Sequence, residues 1–456
     1  MQTRKVYLRG FVWTFFAACV LCAWNPFQEM RTSPALPAPK KLIARAYNSG
    51  FDLSHATFNG MLCASDGRIY YVLCSDSIDT GAQMYSYDPA TDSIRHLGDL
   101  TEAAGEKGAK AIPQGKSHVN FVEWHGKLYF ATHVGYYTIV DGRETIGVPP
   151  LGYKPYPGGH FLAYDMASGK FEKLATAPAG QGILAMSMDT RRGRLYGLTW
   201  PSGYFLRFDI ETRNMKNLGP ISKEGEAGSG PTFQVLCRSL AVDPEDGSVY
   251  FTTSDGDILR YRYDRDTIET VRADNLRKDY FGVWDSSRPG HMGYNWRQTV
   301  WYAPEKAIYG IHGNSGYLFR FDPRAERVDV LERITSEPSK RSGMYDQFTY
   351  GYLSFALGPS GDTLYYLTGG PMIENGRRVK PNKNVSAGSG ATEDVHLVTY
   401  RIPTATSTDH GAVFFPDGQR PSFVNSIAVA KDGSVYSLGG VEQNGRVRVD
   451  LYRIQP

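Results

Sequence analysis

Short runs in which apolar and polar residues alternate recur along the chain, each cut by a turn rich in Gly, Asp, Ser or Pro. Seven times such a run meets a turn and reverses into a second run centred on a tyrosine: Tyr70, Tyr129, Tyr196, Tyr250, Tyr309, Tyr365 and Tyr436. Behind most of these a third run closes on an aromatic residue and an aspartate, at Asp88, Asp165, Asp209, Asp264 and Asp322. Alternation with period two marks strands. The tyrosines are separated by 54 residues (Tyr196 to Tyr250) to 71 residues (Tyr365 to Tyr436). A strand-only unit repeating at that spacing predicts an all-β chain folded as a seven-bladed β-propeller.

The units are expected at 56–101, 117–175, 180–220, 232–273, 294–334, 348–404 and 421–456. The last offers three strands before the chain stops. An N-terminal strand within 41–48 (KLIARAYN) is expected to supply its fourth strand and so close the ring, hiding two open sheet edges. Loop lengths are unequal. Connections such as SDG, WHG and AKDG are short, whereas the long insertions (134–160, 369–394) and connections (102–117, 274–293, 335–347) all belong to one face. Long loops on a rigid scaffold are where binding and chemistry concentrate.

The N-terminus alters the domain reading. Arg4, Lys5 and Arg9 precede an apolar run from Phe11 to Trp24, the pattern of an export signal. The expected organisation is an export signal at 1–31, a Pro-rich tether at 32–40 and the propeller at 41–456. The expected location is secreted or periplasmic, with anchoring through an uncleaved or lipidated N-terminus as the alternative. Formal net charge is +3, and without residues 1–31 it falls to zero, so no basic footprint for nucleic acid exists. Of five cysteines, Cys63, Cys74 and Cys237 lie beyond the signal. Pairing across the SDG turn sets Cys63 opposite Tyr70, too far from Cys74 for a disulfide, and three buried free thiols are expected.

Polar residues stand where packing alone would ask for apolar ones. Eleven positions before the repeat tyrosines come Asn59, His118 and Asn425, and twelve before come Arg238 and Arg297. Second strands end on the same face at His133, Trp200 and His312, with Tyr204, Tyr350 and Tyr352 near in sequence. Such a set suits removal of a proton α to a carboxylate. Arg pairs the carboxylate and the enolate-like charge, and His or Tyr moves the proton. The same positions also suit ligand binding without chemistry, or a polar channel with neither. His118, His133 and His312 also offer imidazole ligands to a divalent metal ion, although no local spacing supports a metal centre. The repeated aspartates are read as turn formers.

With His118 and His133 in the second unit, Tyr204 in the third and Arg238 opening the fourth, the chain resembles the seven-bladed propeller polysaccharide lyases. These are the ulvan lyases and, more distantly, oligogalacturonate lyase. The resemblance implies β-elimination at uronate residues of an acidic polysaccharide or oligosaccharide, with a His/Tyr pair as base and acid and Arg as carboxylate neutraliser. On that reading His118, His133, Tyr204 and Arg238 are catalytic, while Asn59, Arg297, Trp200, His312 and Asn425 bind substrate, in a monomer. A non-catalytic carbohydrate- or protein-binding propeller is the alternative. A metal-dependent lyase of the streptogramin-cleaving kind would need a Glu among the histidines.

Overall fold

Period-two alternation gives each strand two side-chain faces, and in the inner strands of this chain both are apolar. Ile69–Leu73 is buried at every position, as is Ala307–His312. Outer strands such as Ser93–Asp99 and Lys170–Thr176 carry no fully buried residue. A strand covered on both faces requires a neighbour on each side, so one sheet cannot fold alone.

The computed structural model describes residues 41–55, 58–287, 292–342, 354–370, 373–374, 377–378, 394–421, 424–443 and 446–455. The export signal and tether expected at 1–40, Tyr350 and Tyr352 lie outside the described residues. Among the described residues are five four-stranded antiparallel sheets, spanning 61–99, 122–176, 182–220, 241–270 and 296–333. An eight-stranded sheet takes Ser354–Leu357, Thr363–Gly370, Asp394–Arg401 and Thr406–Phe414, then Lys41–Tyr47, then Arg446–Ile454, Val435–Gln443 and Ala428–Val429. Nearly all regular structure is strand, which supports a β-propeller. Among the described residues, no helix is long and apolar enough to cross a membrane.

Lys41–Tyr47 joins the two halves of the eight-stranded sheet. Lys41 to Ile43 run parallel to Ala412 to Phe414, and Ala44 to Tyr47 run antiparallel to Leu451 to Ile454. Leu42 and Ala44 point inward against Leu397, Val413, Tyr452 and Ile454. Tyr47 then meets Tyr87 of the first sheet at 4.5 Å between ring centroids, and Tyr87 meets Tyr436 at 5.9 Å.

Aromatic pairs also bridge successive sheets elsewhere. Tyr70 meets Tyr164, Phe161 meets Phe208, Phe205 meets Phe251, and Tyr250 meets Phe321, with centroids 4.9–6.3 Å apart. Each such ring buries a large apolar area while fixing a preferred geometry. The expected turn role of the aspartates holds at four positions: Asp88, Asp165, Asp209 and Asp322 each accept backbone N–H groups two or three residues on. Asp264 differs. It lies past the end of Ile258–Arg262 and its carboxylate pairs with Arg262.

Two further expectations are corrected. The hairpin register sets Cys63 opposite Ile69, not Tyr70, because the ladder pairs Leu62 with Tyr70. Cys74 and Cys237 are buried free thiols, but Cys63 is only partly covered.

Because Leu42 is 4% exposed and its neighbour Ile43 56%, Leu42→Ala should destabilise by about 2–5 kcal/mol and Ile43→Ala by no more than about 0.5 kcal/mol. Urea unfolding of the two variants beside the parent checks this. Equal losses would mean that Lys41–Tyr47 does not pack as described.

Candidate functional site

The second and third sheets and the loops between the third and fourth converge on a cavity of about 70 Å³. Its walls include His118, His133, Trp200 and Arg238 of the residues singled out in the sequence, together with Phe58, Lys116, Tyr137, Arg143, Glu144 and Glu226. None of the last six was singled out by residue, although Tyr137, Arg143 and Glu144 fall within the long insertion 134–160.

His118 was expected at a strand start but sits in the irregular segment before Val122–Trp124. His133 follows Lys127–Ala131, and its backbone exchanges both hydrogen bonds with Lys116, at 2.8 and 2.9 Å. That two-way bond fixes Lys116, Ser117 and His118 beside His133. Gly182 allows the imidazole to settle there, since a Cβ on it would come within 2.8 Å of the His133 ring.

Both histidines are oriented by carbonyls. His118 Nδ1 lies 2.9 Å from Leu184 O, and His133 Nδ1 lies 2.9 Å from Val134 O. A carbonyl can only accept, so each Nδ1 carries the proton and each Nε2 keeps its lone pair. Among the described residues, the buried His133 Nε2 has no hydrogen-bond partner. Tyr137 Oη donates to Val134 O at 2.7 Å and sits 3.2 Å from His133 Nδ1. Phe58 stacks on His118 at 4.2 Å, and Trp200 lies 5.5 Å from the His133 ring centre.

Burial makes both histidines weak bases. Desolvation pushes His133 down to about 3, with the charges of Lys116 and Arg238 adding to the effect. His118 is also driven well below the usual imidazole range, by burial first and then by His133, Arg238, Arg297 and Lys116. Near neutral pH the two rings are therefore uncharged.

Glu226, from the short turn Gly225–Ala227, organises the far wall. It accepts Trp200 Nε1 at 2.8 Å and Leu236 N at 3.0 Å, and it pairs with Arg238 at 2.7 Å. Arg238 also donates to Leu236 O at 2.8 Å. The hairpin Tyr137–Val140 and Arg143–Ile146 contributes Tyr137, Arg143 and Glu144 to the cavity wall.

The other expected residues lie elsewhere. Tyr204 opens Tyr204–Asp209, and period two puts it on the same face as Leu206 and Phe208, partly buried against the core cluster to which those two belong. His312 is fully buried, stacked on Phe281 at 4.2 Å with Nδ1 2.8 Å from Ser315 Oγ, and does not reach the cavity. Arg297 is buried beside Met292 and acts on His118 through its charge. Asn59 and Asn425 do not line the cavity. Among the described residues, no three His, Cys, Asp or Glu side chains converge as a metal centre would require.

No protein-family model matches the sequence. Comparison with curated proteins likewise gives no match. Solved structures do resemble the fold. A chain of the mitotic checkpoint complex aligns with TM-score 0.50 and 10% identity, over 96% of this chain and 98% of that one. The extracellular domain of a one-component system from B. thetaiotaomicron aligns at 0.47 and 13%, over 90% of this chain and 39% of that one. An oligogalacturonate lyase in complex with manganese aligns at 0.47 and 12%, over 91% and 96%. At such identities the likeness is one of fold alone.

The buried histidines give a signed pH dependence. Unfolded imidazoles take up a proton below about 6.5, whereas His118, His133 and His312 resist protonation in the fold. The unfolded state then binds more protons, so their contribution is full above about 6.5 and is lost as pH falls through that window, by up to about 1.4 kcal/mol per pH unit for each histidine. Urea midpoints of the parent and of His312→Gln, measured down the pH scale, should converge. A constant gap between them would exclude a neutral buried His312.

Proposed function

We propose that the chain is an exported seven-bladed β-propeller that binds a uronate-containing polysaccharide at this cavity and cleaves it by β-elimination. In this reading the eight-stranded sheet counts as two blades joined at Lys41–Tyr47, which closes the ring. Export rests on the N-terminal sequence pattern.

The observation that carries the reading is the pair of uncharged imidazoles, each with Nδ1–H spent on a backbone carbonyl and the Nε2 lone pair left to accept a proton. Elimination in a uronate needs the C5 proton removed while the adjacent carboxylate takes up charge, and then a proton for the departing oxygen. A neutral imidazole serves as the base. Tyr137 takes the acid role first expected of Tyr204, because it is the tyrosine beside His133. Cationic side chains around the rings favour the developing enolate-like anion. Trp200 and Phe58 offer ring faces at the same cavity. The cavity is well below the ~300–1,000 Å³ that encloses a whole small ligand. It therefore takes the carboxylate end of the sugar, with the ring at the mouth.

The test is ultraviolet absorbance of the unsaturated uronate product during incubation with a panel of uronate polysaccharides. His118→Gln and Tyr137→Phe should each lower the rate ~100-fold or more, while Tyr204→Phe should leave it within about twofold, as for a residue outside the reacting set. Binding without product on every substrate would replace the lyase reading by the non-catalytic carbohydrate-binding one.

A further inference from the structure

A buried cation normally has a carboxylate or hydrogen-bond acceptors close by, since an uncompensated charge inside a protein is costly. Lys116 does not follow this pattern. It is 4% exposed and lines the cavity with His118 and His133. Its Nζ lies 4.6 Å from the centre of the Phe58 ring and 4.2 Å from that of Tyr137. Among the described residues the ammonium forms no ion pair and donates no hydrogen bond. Burial lowers its pKa first of all, and the carboxylates that oppose this act through space, Glu144 on the hairpin and then Asp76. Two aromatic faces hold a charged ammonium by their quadrupoles and leave its N–H groups unused.

Arg238 contrasts with it at every point. Its guanidinium is already spent on Glu226 and on Leu236 O. Arg143 donates to Gly228 O at 2.7 Å.

We infer that Lys116 is the cation that receives the ligand's anionic group at this cavity, and that Arg238 is a positioning residue. Arg238 holds Glu226, and Glu226 in turn holds Trp200 beside His133. The inference rests on the proposed anionic ligand but not on the elimination step. The anion replaces Glu144 as the charge nearest Lys116 and takes up the idle N–H donors. An anion held there shares the small cavity with both imidazoles, as a carboxylate must if the carbon next to it is to lose its proton.

The test uses the full chain and two probes, acetate and a galacturonate oligomer, titrated by calorimetry into the parent, Lys116→Met and Lys116→Arg. Loss of a charge-assisted hydrogen bond predicts at least ~10-fold weaker binding of both probes to Lys116→Met, with most of the affinity restored in Lys116→Arg. Arg238→Lys should instead perturb tryptophan emission while acetate affinity stays within about threefold. Unchanged acetate binding in Lys116→Met overturns the inference, as does a parent that binds neither probe. Acetate binding that depends on Lys116 without turnover of any uronate would leave the inference standing and remove the elimination reading. Should Lys116→Met not fold, crystals of the parent soaked in bromide decide the matter. Anomalous density within hydrogen-bond reach of Nζ supports the inference, and density at Arg238 alone refutes it.

Discussion

Each sheet of this protein has two apolar faces, so burial between neighbouring sheets is the condition on which all else depends. Ile69–Leu73 and Ala307–His312 have no polar side to present to water. Across successive sheets, Tyr70, Phe161, Phe205 and Tyr250 likewise find partners on the adjoining sheet. Lys41–Tyr47 meets the same need where the beginning and end of the described chain adjoin, completing a ladder on both of its edges. Apolar burial at roughly 25 cal/mol per Å² makes such contacts the main favourable contribution.

That frame explains the chemistry of the cavity. Rigid strands end at Ala131 and Trp200, and the residues just past or before them are freed from alternation. The backbone exchange between Lys116 and His133 then sets an irregular segment against a strand end, bringing an ammonium and two imidazoles together. Low polarity keeps the rings neutral, and Glu226 anchors the opposite wall through an indole, a guanidinium and a backbone amide.

How much of this the sequence disclosed depends on whether periodicity governs the residue. Strand positions were legible because alternation is a local property: all five four-stranded sheets fall close to the expected spans. His118 and Arg238 follow from counting back from the repeat tyrosines, and His133 and Trp200 from the ends of the second strands, since strand ends keep a constant distance from strand centres. The second-strand ends also admit His312, whose ring stacks in the core, because position along a strand does not say which way a side chain points. Tyr204 is close to the second-strand end in sequence, but its parity, shared with Leu206, turns it towards the core. Lys116 and Glu226 come from irregular connections and Tyr137 from a short hairpin outside the repeat, so no repeat position marked them. The one usable hint was the length of the 134–160 insertion.

The three free thiols carry a different consequence. No described sheet is stapled by a covalent bond, and burial raises Cys74 to about 11, which leaves it a poor thiolate. The free energy holding the described fold together therefore contains no disulfide redox contribution. Among the described residues, glutathione in the surroundings has no disulfide cross-link to break.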